Sequence, residues 1–160
     1  MNDRLLELVE KNAMLTNEQL SGMTGCSVQD IQDAKNRYEQ ENIILGYKAV
    51  INWDKTDREY VTALIEIKVV PQRGRGFDKI AERIYRYPEV KNLYLMSGDF
   101  DLACLIEGET MKDVALFVSE KLAPMESVKS TSTHFILKKY KESNVIYEDE
   151  KEDTREVITL

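Results

Sequence analysis

The sequence has few of the residues on which catalytic, metal-binding and disulfide-stabilised proteins depend: two cysteines and one histidine among 160 residues. Cys26 falls in a predicted turn and Cys104 in a predicted strand, so we expect reduced thiols rather than a disulfide. His134 has no cysteine or carboxylate at ligand spacing, and we predict no metal site and no cofactor. No Ser/His/Asp set, Cys/His pair or phosphate-binding glycine loop is present in the sequence, so we predict no enzymatic activity.

Long apolar runs are missing as well. No stretch approaches the ~18 to 20 apolar residues of a membrane-spanning helix, and the first residues lack the basic and apolar blocks of a signal peptide. These absences predict a cytoplasmic protein without a membrane partner. With 42% hydrophobic and 32% charged residues, the chain still has enough apolar side chains to fill a core.

Negative charge is concentrated at the two ends of the chain. The formal net charge of −7 divides into −3 for residues 1–53, 0 for residues 54–147 and −4 for residues 148–160. The last segment is too polar to fold alone, and we expect an acidic tail there. An acidic chain is poorly suited to nonspecific binding of nucleic acid, because that affinity comes from Lys and Arg beside phosphates.

Residues 1–53 contain three helix signals separated by short turns. An apolar stripe through Leu5 and Val9 marks the first helix, a capping box beginning at Thr16 marks the second, and Ser27 is a good N-cap for the third. Three helices joined this closely are typical of a helix-turn-helix DNA-binding domain. A small helical bundle that serves oligomerisation is the alternative interpretation of this pattern.

The exposed side of the third predicted helix carries residue types that contact double-stranded DNA. Glutamine and asparagine suit bidentate contact with adenine in the major groove, whereas lysine and arginine suit phosphate. Carboxylates on the same helix, Asp30 and Glu39 among them, repel phosphate and predict weak binding by each subunit. The candidate DNA-binding residues are Ser27, Gln29, Gln32, Lys35, Asn36, Arg37 and Lys48.

The end of the helical domain is marked by Gly46. The alternation of residues from Lys48 to Trp53 predicts a short strand. Residues 54–59 are charged and lack periodicity, which predicts a linker between two domains.

Residues 60–147 follow the pattern strand, helix, strand, strand, helix, strand. The turn Ser97–Asp101 joins two apolar runs as a hairpin, and Gly98 permits positive φ in it. The whole chain is therefore predicted to have an α+β fold, in which a ferredoxin-like βαββαβ domain follows the helical domain. Both of its helices are expected on one face of the sheet, and no later segment of the sequence can cover the other face.

Three segments carry a family resemblance: Ile43-Ile44-Leu45-Gly46-Tyr47, the hairpin Ser97-Gly98-Asp99-Phe100-Asp101 with its Gly-x-aromatic-Asp signature, and Val128-Lys129-Ser130-Thr131-Ser132-Thr133. In this order they resemble the Lrp/AsnC, or feast/famine, family of transcription regulators, over about residues 3–140. The chain departs from the family pattern in the third helix and its exit, where Ala34 replaces an arginine, Lys35 an apolar residue and Asn42 a glycine.

The resemblance implies a winged-helix-type helix-turn-helix domain joined to a ferredoxin-like domain of the RAM/ACT type. It further implies a homo-oligomer, with dimers that pair their sheets face to face and can assemble into octamers. A small amino-acid effector is then expected between subunits, beside the hairpin. The implied effector-binding residues are Ser97, Gly98, Asp99, Phe100, Asp101, Thr131 and Thr133.

A bound amino acid needs an acceptor for its ammonium group and donors for its carboxylate. Asp99 or Asp101 can supply the first, and backbone N–H groups around Gly98 the second. Alternatively, Asp101 only holds the turn through local hydrogen bonds. We therefore expect a DNA-binding, amino-acid-responsive transcription regulator; the alternative is an amino-acid-sensing or assembly module whose helical domain binds protein.

Overall fold

The computed structural model describes residues 2–70 and 76–147 of the chain. The predicted acidic tail, residues 148–160, lies outside these residues. The chain divides between Ile51 and Asn52 into two compact units.

The first unit consists of three helices around one small core. Helix α1 begins with the polar residues of its sequence and turns one apolar stripe inward, as its spacing predicts. The helices are α1 (Asn2–Lys11), α2 (Asn17–Thr24) and α3 (Val28–Gln40), and the buried side chains are Leu5, Leu8, Val9, Leu20, Ile31, Ala34 and Tyr38.

Local capping chemistry sets the start of both later helices. The Thr16 hydroxyl accepts the Gln19 N–H, and the Gln19 side chain accepts the Thr16 N–H, which confirms the predicted capping box. Ser27 caps α3 through the same exchange with Asp30. Between α2 and α3 the chain turns at Gly25, whose φ of 75° is easily adopted by glycine. A helix-turn-helix follows from these signals.

The exit from α3 uses an asparagine in place of a glycine. Asn42 has a φ of 56°, a left-handed conformation that asparagine tolerates better than most residues. The backbone N–H groups of Ile43 and Ile44 both donate to the Tyr38 carbonyl oxygen, at 2.8 and 3.0 Å. The departure from the family pattern at Asn42 therefore leaves the turn geometry intact.

The strand predicted from Lys48 to Trp53 is wrong. Residues 2–51, all of them described, contain no strand with which this segment pairs. At its end, the Asn52 side chain accepts the Asp54 N–H at 3.2 Å and starts a 3₁₀ turn, Trp53–Lys55. Alternation alone predicted a strand, but a strand needs a neighbour to satisfy its backbone groups.

The second unit is a four-stranded antiparallel sheet with two helices, and it confirms the predicted ferredoxin-like domain. The elements are β1 (Val61–Val69), α4 (Asp78–Tyr85), β2 (Val90–Leu95), β3 (Leu102–Gly108), α5 (Met111–Phe117), which continues as a π-helical turn (Val118–Leu122), and β4 (Val128–Phe135). The strand order is β2-β3-β1-β4, so the hairpin strands β2 and β3 lie on one side of β1 and β4 lies on the other.

One face of the sheet packs against the helices and the other is open among the described residues. Alternate residues of β1 and β3 enter the core with side chains of α4 and α5, including Ile65, Cys104 and Phe117. Cys26 and Cys104 form no disulfide, and burial raises the pKa of the Cys104 thiol to about 12. The intervening residues define the open face: Leu64, Glu66, Lys68, Asn92, Tyr94, Ala103, Leu105, Glu107, Ser130, Ser132 and His134.

A small hairpin follows β4, where the sequence showed no pattern. Strands β5 (Lys141–Glu142) and β6 (Val145–Ile146) pair in antiparallel fashion. Ser143 and Asn144 connect them with φ values of 48° and 64°, which is the geometry of a two-residue hairpin turn with both central residues left-handed. The strands are too short for alternation to reveal them.

An ion pair fastens the end of α5 to the start of β2. The Lys121 Nζ lies 2.6 Å from a Glu89 carboxylate oxygen, and over the Tyr87 and Phe117 rings. The hydrogen bond from Lys121 lowers the pKa of Glu89 below its usual 4.5.

We expect Glu89→Gln to destabilise the protein by about 1 kcal/mol or less at neutral pH, as for a partly exposed pair. Because the pKa of Glu89 is lower in the folded than in the unfolded state, the pair stabilises above pH 4.5 and this stabilisation is lost as the pH falls. Urea unfolding of both proteins from pH 7 to pH 3 measures the difference, which should shrink towards the acid end. A constant difference would contradict this account.

Candidate DNA-reading surface and effector loop

The exposed side of α3 brings together three of the predicted DNA-binding residues and one that was not predicted. The Asn17 side chain, at the start of α2, donates to the Gln32 Oε1 at 2.6 Å, and the Gln32 Nε2 donates to the Asn36 Oδ1 at 2.8 Å. The Lys35 ammonium donates to the Asn17 Oδ1 at 3.5 Å. Sequence reasoning missed Asn17 because its partner is fifteen residues away, on another helix.

The carboxylates of α3 are engaged by polar neighbours. Asp30 accepts from Ser27 in the capping box, Asp33 accepts from Gln29 at 3.0 Å, and Glu39 accepts from the Tyr47 hydroxyl at 2.8 Å. These neutral donors hold the carboxylates in place but leave their negative charge, which opposes phosphate binding.

The predicted cations lie at different parts of the unit. Lys35 is half-buried, with its ammonium 6.0 Å from the centre of the Tyr47 ring. Arg37 is exposed on α3, and Lys48 follows Tyr47 in the irregular segment after the helix. A groove beside this segment is lined by Lys48 together with Glu7 and Glu10 of α1. The structure thus joins Lys35 to Asn17 by a hydrogen bond, whereas Lys48 lines the groove beside α1.

The hairpin loop Ser97–Asp101 is tied to β1 by Asp101. The Val69 N–H donates to the Asp101 Oδ2 at 2.8 Å, the Asp101 N–H donates to the Ile67 carbonyl at 3.0 Å, and the Met96 N–H donates to the Asp101 carbonyl at 2.8 Å. Gly98 has a φ of 143°, which few side-chain-bearing residues adopt. Ser97 and Asp99 are exposed, and Phe100 is half-buried.

The two threonines of β4 occupy the covered face of the sheet. Thr131 pairs with Ile67 and Thr133 with Ile65, both of which belong to the core. Directly opposed residues of an antiparallel pair share a face, so the half-buried threonines point towards the helix layer. The hairpin loop lies at the same end of the sheet, on the other side of β1.

A polar and aromatic cluster surrounds Arg58, within the segment predicted as a linker. Its guanidinium lies 4.6 Å from the Trp53 ring centre, 5.5 Å from that of Tyr60, and 3.4 Å from a Glu107 oxygen. The Tyr60 hydroxyl donates to Asp54 at 3.1 Å. Burial and this carboxylate raise the pKa of Tyr60 to about 12. Residues 53–60 are thereby held against the end of β3.

The described residues contain neither a metal-ligating cluster nor a membrane-spanning helix. Among residues 2–70 and 76–147, no three His, Cys, Asp or Glu side chains are grouped so that they could hold a metal ion. No helix in the same ranges is long and apolar enough to cross a membrane.

A helix-turn-helix unit is a motif with which transcription regulators read DNA, and in this chain a ferredoxin-like unit with one open sheet face follows it. The Lrp/AsnC ligand binding domain matches residues 62–146. A Bacillus subtilis (strain 168) protein described as the uncharacterized HTH-type transcriptional regulator YugG is 46% identical over 156 residues, covering 97% of this chain and 94% of that protein. The chain belongs to the Lrp/AsnC family of transcriptional regulators.

More distant relatives agree with this assignment. The leucine-responsive regulatory protein of Haemophilus influenzae is 24% identical over 143 residues, covering 89% of this chain and 86% of that protein. The crystal structure of PH0061 has a TM-score of 0.75 at 20% identity, covering 87% of this chain and 92% of its own. The Neisseria meningitidis regulator NMB0573 in complex with L-Met has a TM-score of 0.70 at 21% identity, covering 87% and 89%. These two structures share the fold.

The protein is accordingly a DNA-binding transcriptional regulator, and its second unit is the family's ligand-binding domain. The relatives are regulators and none of them is named as an enzyme. Their names favour a helical unit that reads DNA over one that binds protein.

Proposed function

We propose that this regulator senses a small amino acid bound between subunits beside the hairpin loop 97–101. The open face of the sheet is the observation that carries the proposal. Leu64, Ala103 and Leu105 form an apolar centre there, with charged side chains such as Glu66 and Lys68 around it. An apolar sheet face of this kind is stable in water when a second copy covers it.

The hairpin loop stands at one end of this face and has the groups that an amino acid needs. Asp99 is an exposed carboxylate beside Gly98, where the chain departs from regular strand geometry. The names of relatives support an amino-acid ligand, since one is called leucine-responsive and another was solved with L-Met. A ligand that favours one arrangement of paired subunits changes the spacing of their α3 helices, and so changes DNA affinity.

On the DNA side, we propose that α3 enters the major groove. Gln32 and Asn36 lie one turn apart on its exposed side and supply amide groups for base edges. Arg37 and Lys48 are proposed to contact phosphate, Ser27 and Gln29 to flank the base contacts, and Lys35 to act at their edge. Dimers suffice for this mechanism, and octamers are the larger assembly that the family resemblance implies.

Selection from a random DNA library tests the DNA-reading proposal. We expect the wild-type protein to enrich one sequence motif and the double variant Gln32→Ala, Asn36→Ala to lose that enrichment while retaining nonspecific binding. Arg37→Ala is the matched control: it should weaken binding uniformly across sequences and reduce the salt slope by about 1. Affinities are measured by gel shift from low to high salt, with and without each amino acid. Absence of any enriched motif at low salt would contradict the proposal.

A further inference from the structure

Four polar side chains, three on α3 and one at the start of α2, form a hydrogen-bonded chain with a constant direction from donor to acceptor. Lys35 donates to Asn17 at 3.5 Å, Asn17 donates to Gln32 at 2.6 Å, and Gln32 donates to Asn36 at 2.8 Å. Every step runs from a nitrogen donor to a side-chain carbonyl oxygen. The chain ends at the Asn36 amide nitrogen, which donates no hydrogen bond to the described residues.

The ammonium at the start fixes this direction. An amide side chain can rotate by 180° and exchange its donor and acceptor ends, whereas an ammonium group only donates. If Gln32 alone rotated, its NH₂ group would face the NH₂ group of Asn17, and its oxygen would face the oxygen of Asn36. Both hydrogen bonds of Gln32 would then be lost. Rotation of all three amides together would set the Asn17 NH₂ against the Lys35 ammonium.

Asn17 is therefore the residue through which Lys35 orients the two base-reading amides. Tyr47 lies beside the Lys35 ammonium, and the Tyr47 hydroxyl is itself held by Glu39 at 2.8 Å. Contacts inside the helical unit thus position Lys35, the residue with which the hydrogen-bonded chain begins. Its other end is exposed on α3.

We infer that Asn17 is a positioning residue for DNA specificity, and that it makes Asn36 read base edges as a hydrogen-bond donor. This inference rests on the proposed entry of α3 into the major groove. At the major-groove position that tells the bases apart, a donor at Asn36 matches the O6 of guanine or the O4 of thymine, whereas adenine and cytosine present an amino group there. The purine N7 accepts in both adenine and guanine, so a contact to it does not discriminate between them. Asn36 therefore favours guanine or thymine at the base that it contacts.

Asn17→Asp tests the inference because aspartate has the shape of asparagine but reverses the donor-to-acceptor direction of the hydrogen bonds. Aspartate accepts from Lys35 but cannot donate to Gln32, so Gln32 rotates to donate to Asp, and Asn36 rotates to donate to Gln32. The Asn36 oxygen then becomes the outer group. Library selection with the Asn36→Ala variant identifies the position that Asn36 reads. At that position we expect a switch from guanine or thymine towards adenine or cytosine, by at least about fivefold.

Gln19→Glu is the matched control, because it adds one negative charge two residues away and keeps an acceptor for the Thr16 N–H. It should lower affinity for all sequences and leave the preferred base unchanged, and thermal unfolding shows whether each variant is folded. An unchanged preference in Asn17→Asp, or an equal switch in Gln19→Glu, would overturn the inference while leaving DNA reading in place. Failure of the wild-type protein to select any motif would instead overturn the proposed DNA contact, and this inference with it.

Discussion

Leu105→Asp is expected to turn the proposed homo-oligomer into a monomer, weakening self-association by about 10² to 10⁴-fold. Leu105 lies on β3 opposite Leu64, in the apolar centre of the open face, and is only half-buried within one protomer. In a twofold interface every substitution occurs twice. Each copy loses burial of the part of the leucine that the protomer leaves exposed and places a carboxylate in an apolar contact, at a combined cost of about 1.5 to 3 kcal/mol. The total of ~3 to 6 kcal/mol gives the stated range.

Analytical ultracentrifugation across protein concentration measures this effect. Leu116→Asp is the control, because Leu116 is an exposed leucine of α5, away from the open face, and the same chemical change there should leave association intact. Tyr94→Asp provides a second variant on the open face, with a side chain that is 55% exposed and contributes little to folding of the protomer. A wild-type protein that is monomeric at micromolar concentration would overturn both the interface and the sensing mechanism.

Sequence patterns predicted those parts of the fold that depend on neighbouring residues. The capping box predicted at Thr16 joins two residues three apart, and the box at Thr110, which starts α5, has the same spacing. Such short spacings can be read directly from the sequence. The apolar alternation of β1 likewise reports its two faces, since successive side chains point to opposite sides of a strand. From these signals the order of elements in both units could be assembled.

Contacts between distant segments could not be predicted in this way. Asn17 meets Gln32 only because the turn at Gly25 brings α2 and α3 together, and no local pattern records that distance. The strand predicted over residues 48–53 was wrong for the opposite reason. Its residues alternate as in a strand, but no described strand pairs with them. Thr131 and Thr133 follow the alternation of β4, yet only the register with β1 shows which face they occupy.

The sequence is compatible with two roles for Asp101: binding of the ligand, or support of the turn through local hydrogen bonds. One of its carboxylate oxygens accepts the N–H of Val69, a buried residue at the end of β1. Asp99 is exposed, two residues earlier in the same loop. The hydrogen bond shows that Asp101 holds the loop against β1. We propose that Asp99 contacts the ammonium group of the amino acid.

We expect Asp101→Ala to lower the free energy of unfolding by about 1 to 3 kcal/mol, because the Val69 N–H loses its acceptor. Asp99→Ala should change stability by no more than about 0.5 kcal/mol, as at other exposed positions, but should abolish the rise in melting temperature that an amino-acid ligand causes. Urea unfolding measures the first effect. Thermal unfolding with each amino acid in turn measures the second.

Asp101→Asn separates the structural role of Asp101 from a charge role. Its amide oxygen still accepts the Val69 N–H, so most of the stability lost in Asp101→Ala should return, and the ligand-induced rise in melting temperature should persist. If Asp101→Asn removed that rise in melting temperature while Asp99→Ala kept it, Asp101 would be the ammonium acceptor and the role proposed for Asp99 would be wrong. If no amino acid raised the melting temperature of the wild-type protein, the loop would not bind this class of ligand, since any ligand that prefers the folded state stabilises it.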